Sequence, residues 1–258
     1  MGQTGGKLVL VGIGTGDEKG ISLRGLGELK ACGKIFAESY TNLLPEGTLG
    51  RLEKLVGVKI ELLSRAQVEG EKEMLESASA VPTALVVSGD PMIATTHVSL
   101  VLAAKKREIP VEIIHAASIL TSAMGESGLQ AYKFGKIVTL AYWRENYKPM
   151  AAYGVIAENL SRGLHTLLLL DIDEKLGPMK PGEAAKLLLE MEKEGKKNIL
   201  LLQTKAVFLS GIGRPNGKVL HISLAEAASP ALAIPFPAVL VIPGKLHFLE
   251  EEFLSSLR

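Results

Sequence analysis

Cysteine is nearly missing from this 258-residue chain: Cys32 is the single one, which excludes an internal disulfide and a cysteine-rich metal cluster and fits a reducing compartment. Charge of one sign is not in excess either. Twenty-nine Lys and Arg stand against 28 Asp and Glu, a net +1, so no global field favours nucleic acid as a partner. No uncharged apolar run reaches the ~18 residues a membrane span needs, and the opening Met1 to Lys7 lacks the apolar core of a signal peptide. The expectation is a cytoplasmic protein with no membrane partner. A GxxxxGK[ST] phosphate loop is absent, which leaves nucleotide hydrolysis without support. The five histidines, His97, His115, His165, His221 and His247, form no short ligand pattern such as HExxH, and no metal is expected. Asn and Gln are sparse, a composition that fits a heat-adapted chain.

What is present is 47% hydrophobic and 22% charged residues, the balance of a compact protein with a substantial core. Short apolar segments at Lys7 to Val11, Lys34 to Ala37, Val58 to Leu63, Thr83 to Val87 and Val111 to Ile114 alternate with helical patterns, which predicts an α/β fold. Leu23, Leu26 and Leu29 share a helical face behind a Ser22 cap, and Leu49, Leu52 and Leu55 do so behind Thr48. These helices should cover a mainly parallel sheet. A second cycle follows the glycine-containing stretch from Gly125 to Gly135, with strands expected at Ile137 to Ala141, Thr166 to Leu170, Ile199 to Leu202, Val219 to Ile222 and Val239 to Ile242. Ala184, Leu187, Leu188 and Met191 mark one helix face from about Gly182 to Lys193. The expected domains are 1–120 and 121–258.

Gly89-Asp90-Pro91, directly after the apolar strand ending at Val87, is the most informative motif. Gly89 permits unusual backbone angles and Pro91 cannot extend a sheet, so the chain turns with the Asp90 carboxylate at the strand end, the ligand-binding edge of a parallel sheet. An ordinary turn with Asp90 capping the next helix is the other reading. Val11-Gly12-Ile13-Gly14-Thr15-Gly16 follows the first strand and lets a ligand approach the backbone, but a dinucleotide fingerprint would want glycine at position 17, where Asp17 would repel a pyrophosphate. A ligand joining an adenine nucleoside to an amino-acid tail suits such a site better, since it needs close backbone and an apolar slot but no phosphate cradle.

Over nearly its full length the chain resembles the diphthine synthase family of the tetrapyrrole methylase superfamily. The resemblance rests on Val11 to Gly14, Phe36-Ala37-Glu38-Ser39-Tyr40-Thr41, Thr48 to Arg51, Ser64-Arg65, Gly89-Asp90-Pro91 with Ala94-Thr95-Thr96-His97, and His115-Ala116-Ala117-Ser118-Ile119. Tyr132 to Lys136, Gly163 to Ile172 and Pro243-Gly244-Lys245-Leu246-His247 extend it. It implies two unequal domains, each a mixed, mainly parallel sheet flanked by helices, with S-adenosylmethionine in the cleft between them and S-adenosylhomocysteine as product. It also implies a homodimer that methylates the amino group of the 3-amino-3-carboxypropyl-histidine of translation elongation factor 2. By the family pattern the cofactor is lined by Thr15, Asp90, Ile93, Ser118, Ile119, Leu170 and Ala206, with Ala238 where some relatives place a histidine. No catalytic base is assigned by this pattern. A small-molecule methyltransferase of tetrapyrrole type and a noncatalytic S-adenosylmethionine-binding protein are the alternatives.

Other residues have two readings each. His97 either holds structure or orients the Gly-Asp-Pro loop. His115 and Ser118 either meet the cofactor or serve as a hydrogen-bonded histidine and a helix cap. Glu38, Tyr40, Lys133, Arg144 and Lys148 are candidates for a substrate rim, with surface solvation as the alternative. Tyr142, Trp143, Tyr147 and Tyr153 concentrate aromatic area in a chain with 5% aromatics, suiting a base-stacking platform or, better, an interface cluster. Gln203-Thr204-Lys205-Ala206 departs from the family, which often has a more hydrophobic strand there leading into an Ala-Arg-Ala turn.

Overall fold

The computed structural model describes residues 5–38, 44–173, 175–232 and 234–257. The chain divides into two compact units, Met1–Ile119 and Leu120–Arg258.

In the first unit the apolar segments become strands β1 (Lys7–Gly12), β2 (Lys34–Glu38), β3 (Ile60–Leu63), β4 (Pro82–Val87) and β5 (Val111–Ile114), all paired in parallel in the order β3-β2-β4-β1-β5. Alternate residues of each strand serve opposite faces. Val9, Val11, Ile35 and Ala84 pack against Leu29 of α1 (Leu23–Ala31) and Leu52 and Val56 of α2 (Thr48–Val56). Leu8, Leu10, Phe36 and Leu85 pack on the other face against Val68 of α3 (Arg65–Gly70), Met74, Leu75 and Ala78 of α4 (Lys72–Ala80), and Leu100 and Ala104 of α5 (Val98–Lys106). Adjacent strands β1 and β4 therefore send their connections to opposite faces, which makes the carboxyl edge between them a topological switch point. Ser22 caps α1, accepting from the Gly25 N–H at 3.0 Å. Thr48 does not cap α2: Gly47 holds the cap position with φ 75°, and the Thr48 hydroxyl donates instead to the Pro45 carbonyl at 2.6 Å.

At the boundary α6 (Ile119–Glu126) leads into the second unit. This contains β6 (Val138–Leu140), α7 (Ala151–Ser161), β7 (Thr166–Leu170), a ribbon of β8 (Ile172–Asp173) and β9 (Gly177–Pro178), and α8 (Pro181–Gly195). It ends with β10 (Lys205–Ser210), β11 (Lys218–Ser223), α9 (Leu224–Ala228), β12 (Ala238–Ile242) and α10 (Phe248–Ser256). The sheet order is β11-β10-β12-β7-β6. Here the expectation of a mainly parallel sheet is corrected. Only β6 with β7 is parallel, and the other three pairings are antiparallel: β10 returns directly into β11 through a short turn with no crossover helix, and β12, reached through α9, pairs antiparallel on the other side of β10.

The strand expected at Ile199 to Leu202 is also absent. The Glu192 carboxylate at the end of α8 accepts from the N–H groups of Ile199 and Leu200 at 2.9 and 2.8 Å, the Thr204 hydroxyl takes that of Leu201, and Leu202 is exposed. With those donors engaged, no ladder forms, and the strand begins at Lys205 instead.

Candidate functional site

Three connections at the carboxyl edge of the first sheet meet around Gly12. A Cβ there would lie 2.5 Å from the Gly89 carbonyl oxygen and 2.9 Å from both Pro91 Cδ and Ala116 Cβ, so the position has no room for a side chain. Gly14 (φ 80°) and Gly89 (φ 76°) occupy left-handed backbone and exchange hydrogen bonds, Gly89 N–H to Gly14 O at 2.8 Å and the reverse at 3.2 Å. The loops after β1 and β4 are thereby fastened to each other beyond the end of their parallel ladder.

Asp90 organises the remainder of this edge. Its Oδ1 accepts from the Met92 N–H at 2.9 Å, and Oδ2 accepts from the Ala116 N–H at 3.2 Å and from His115 Nδ1 at 2.8 Å. The carboxylate, almost fully buried, thus shapes its own turn and ties it to the connection after β5. It does not cap α5, which starts eight residues later, at Val98, with His97 in the cap position.

His97 anchors the same loop from behind. Nδ1 lies 2.8 Å from the Pro91 carbonyl and Nε2 3.2 Å from a Glu38 carboxylate oxygen, with both side chains sealed from solvent. Burial by itself pulls the His97 pKa down, but the hydrogen bond and charge of Glu38, with the Pro91 carbonyl, outweigh it and hold the imidazole above its ordinary range. Two acceptors facing two ring nitrogens suit a doubly protonated ring. His97 is therefore an internal brace of the Gly-Asp-Pro loop, and Glu38 belongs to that brace instead of to an exposed rim. Sequence spacing placed His97 near the loop, but nothing in it paired His97 with Glu38, 59 residues away.

Of the residues expected to line a cofactor, Thr15, Asp90, Ile93 and Ser118 fall on or beside this edge, and Ile119 follows at the start of α6. Ile93 remains 40% exposed, an apolar side chain presented beside the buried carboxylate. In the second unit, Leu170 and Ala238 lie together, since the β7–β12 register that pairs Leu169 with Val239 brings the last residue of β7 opposite the first of β12. Ala206 does not join them. Ala238 pairs with Ser210, at the other end of β10, and Ala206 is fully buried in the apolar core. Lys205 and Ala206 open the apolar strand β10, which ends in a turn from Ser210 through Gly211 (φ 60°). The Ser210 hydroxyl donates to the Pro235 carbonyl at 2.7 Å and the Gly211 N–H to that of Pro237 at 2.9 Å, which fixes this turn beside Ala238.

Several remaining candidates serve the fold of the second unit. Lys133 donates to Glu250 and to the Lys245 carbonyl, and Glu250 also accepts from the N–H groups of Gln130 and His247 and from His165. Burial works to raise the Glu250 pKa, but these donors prevail and hold it at about 2. His165 receives the Gly244 N–H on Nδ1 at 2.9 Å, so its proton sits on Nε2 facing Glu250; burial lowers its pKa. Arg144 pairs with Asp173, and Lys148 lies 5.1 Å over the Trp143 ring. Tyr153 is buried, Tyr142 and Trp143 pack on the same core, and Tyr147 is exposed. Tyr40, with Ser39 and Thr41, lies outside the described residues. Among the described residues, no group of three or more His, Cys, Asp or Glu side chains is arranged to hold a metal ion, and no helix is long and apolar enough to cross a membrane.

Residues 7–228 match the tetrapyrrole (corrin/porphyrin) methylases. The chain belongs to this family of S-adenosylmethionine-dependent methyltransferases. Within it, the chain groups with the diphthine synthases. It is 42% identical to the diphthine synthase of Methanocaldococcus jannaschii over 97% of this chain and 98% of that one. It is 38% identical to the diphthine methyl ester synthase of Schizosaccharomyces pombe, covering 96% and 93%. A crystal structure of diphthine synthase superposes with a TM-score of 0.86 at 31% identity, covering 97% of this chain and 95% of that one.

Proposed function

We propose that the protein methylates the amino group of the 3-amino-3-carboxypropyl-histidine of translation elongation factor 2, forming diphthine, with S-adenosylmethionine as donor. What supports this reading is the convergence of three strand-end connections on Gly12, in a chain similar to diphthine synthases from end to end. The residues suit such a cofactor. Gly89 has open space on the side where a Cβ would stand, Ile93 offers apolar surface, and backbone groups lie close at hand without a basic phosphate cradle. By the family pattern we carry over as cofactor contacts Thr15, Asp90, Ile93, Ser118 and Ile119 in the first unit, and Leu170 and Ala238 in the second.

The bound cofactor supplies an electrophilic methyl group on a sulfonium. The chain's share of the work is alignment and exclusion of water. Asp90 is committed to three N–H donors, which makes it a shaper of the pocket. His97 and Glu38 hold the Asp90 turn from the protein interior. We also propose a homodimer, on the family resemblance, which light scattering on the purified protein tests directly.

The deciding experiment supplies labelled S-adenosylmethionine and elongation factor 2 carrying the unmethylated side chain, then counts methyl groups by mass spectrometry before and after mild alkali. Alkali-stable methyls on that histidine are expected. Alkali-labile methyl would place transfer on the carboxylate, as the name of the Schizosaccharomyces pombe relative indicates for that protein, and no transfer by a cofactor-binding enzyme would refute the assignment.

A further inference from the structure

Asp90 and His115 form a carboxylate–imidazole dyad at the carboxyl edge of the first sheet, Nδ1 to Oδ2 2.8 Å. The two halves differ sharply in access: the Asp90 side chain is 6% exposed and that of His115 68%. Asp90 receives backbone N–H groups at both oxygens, from Met92 and Ala116, so it acts as acceptor toward His115 as well. The proton of a neutral His115 then resides on Nδ1, and the lone pair is on Nε2, turned away from Asp90. A buried carboxylate that fixes the tautomer of an accessible imidazole is the arrangement by which enzymes prepare a general base.

We propose that His115 Nε2 is the proton acceptor for methyl transfer, taking a proton from the substrate ammonium. This rests on the methyltransferase reading above. An ammonium has no lone pair, so one N–H bond must break before attack. In that step the proton passes to Nε2 and the electron pair stays on the substrate nitrogen. The pair then forms the new N–CH3 bond while the methyl–sulfur bond breaks toward sulfur, leaving a neutral thioether and a methylated ammonium. Each further methylation needs another proton removed, and the exposure of His115 lets it release each one to water between transfers. The buried histidines lack this combination: His97 has acceptors at both ring nitrogens and is 1% exposed, and His165 is fully enclosed with its Nδ1 engaged by Gly244.

The test separates a base from a mere support of Asp90. In His115→Asn the amide keeps an N–H for Asp90 but has no basic nitrogen; His115→Ala removes both. Full-length wild type and both variants are compared for melting temperature, S-adenosylmethionine affinity by calorimetry, and kcat on elongation factor 2 bearing the precursor side chain. His115→Asn should melt and bind cofactor as wild type does, within about twofold, yet lose roughly a hundredfold in kcat, and added imidazole should restore part of the His115→Ala activity. Nitrogen-15 spectra of the free enzyme should show the neutral His115 ring protonated at Nδ1. An His115→Asn enzyme with wild-type kcat, or a ring protonated at Nε2, overturns the proposal. Absence of transfer by the wild type would instead remove the methyltransferase reading, and the base with it.

Discussion

Gly12 shows how little latitude single residues have at this edge. A methyl group there would sit 2.5 Å from the Gly89 carbonyl, so Gly12→Ala must push the β1 and β4 connections apart. The expected result is at least a tenfold loss of S-adenosylmethionine affinity, read by calorimetry. His97 and Glu38 give a second expectation. Removing one member of a buried pair costs about 3–5 kcal/mol, so His97→Ala should melt well below wild type, and His97→Gln, which keeps a donor for Glu38, should recover part of the difference. Because folding raises the His97 pKa, the pair's contribution is complete below the ordinary value of 6.5 and falls away as pH rises through the folded one. Glu250 works in the opposite sense. Its folded pKa of about 2 against an ordinary 4.5 stabilises the protein above pH 4.5, on the order of 3 kcal/mol for a side chain that is 1% exposed, and this is lost as pH falls from 4.5 toward 2. Glu250→Gln should therefore lower the melting temperature at pH 7 and narrow the gap from wild type at pH 3. The Gly-Asp-Pro turn was legible in the chain because glycine and proline act on their own backbone. The distant partners were not, His115 for Asp90, Glu38 for His97 and Lys133 and His165 for Glu250, since each lies on a different element.

At the scale of elements, periodicity located most strands to within one or two residues and failed at Ile199–Leu202. Four consecutive apolar residues read as a strand, but the Glu192 carboxylate claims the N–H groups that a sheet would need. The register gives a direct check. Ala206→Leu overfills the core and should cost about 1–3 kcal/mol of stability with little change in cofactor affinity once folded. Ala238→Phe, at the half-buried start of β12, should leave the melting temperature within a few degrees and weaken S-adenosylmethionine binding more than tenfold. Equal affinity in the Ala238→Phe protein would remove this edge from the binding site.

For the whole molecule, the two units are built on five-stranded sheets of different kinds: an all-parallel sheet in the first, a largely antiparallel one in the second. A cofactor that contacts the folded chain alone stabilises it by about 2.7 kcal/mol at a hundred times its dissociation constant. The melting temperature should accordingly rise with S-adenosylmethionine concentration and stay level with adenosine triphosphate, for which the chain has no phosphate loop. The sequence by itself determined the α/β class, the first sheet's strands and their covering helices, because burial imposes its period locally. It also determined the Gly-Asp-Pro turn and the family. Only the tertiary structure decided which groups face one another: the order β3-β2-β4-β1-β5 that sets β1 beside β4, the antiparallel pairing around β10 and β12, and the Asp90–His115 and His97–Glu38 pairs. Hydrogen bonding and charge pairing act across space between residues far apart in the chain, and no local pattern records which distant partner the folded chain will bring near.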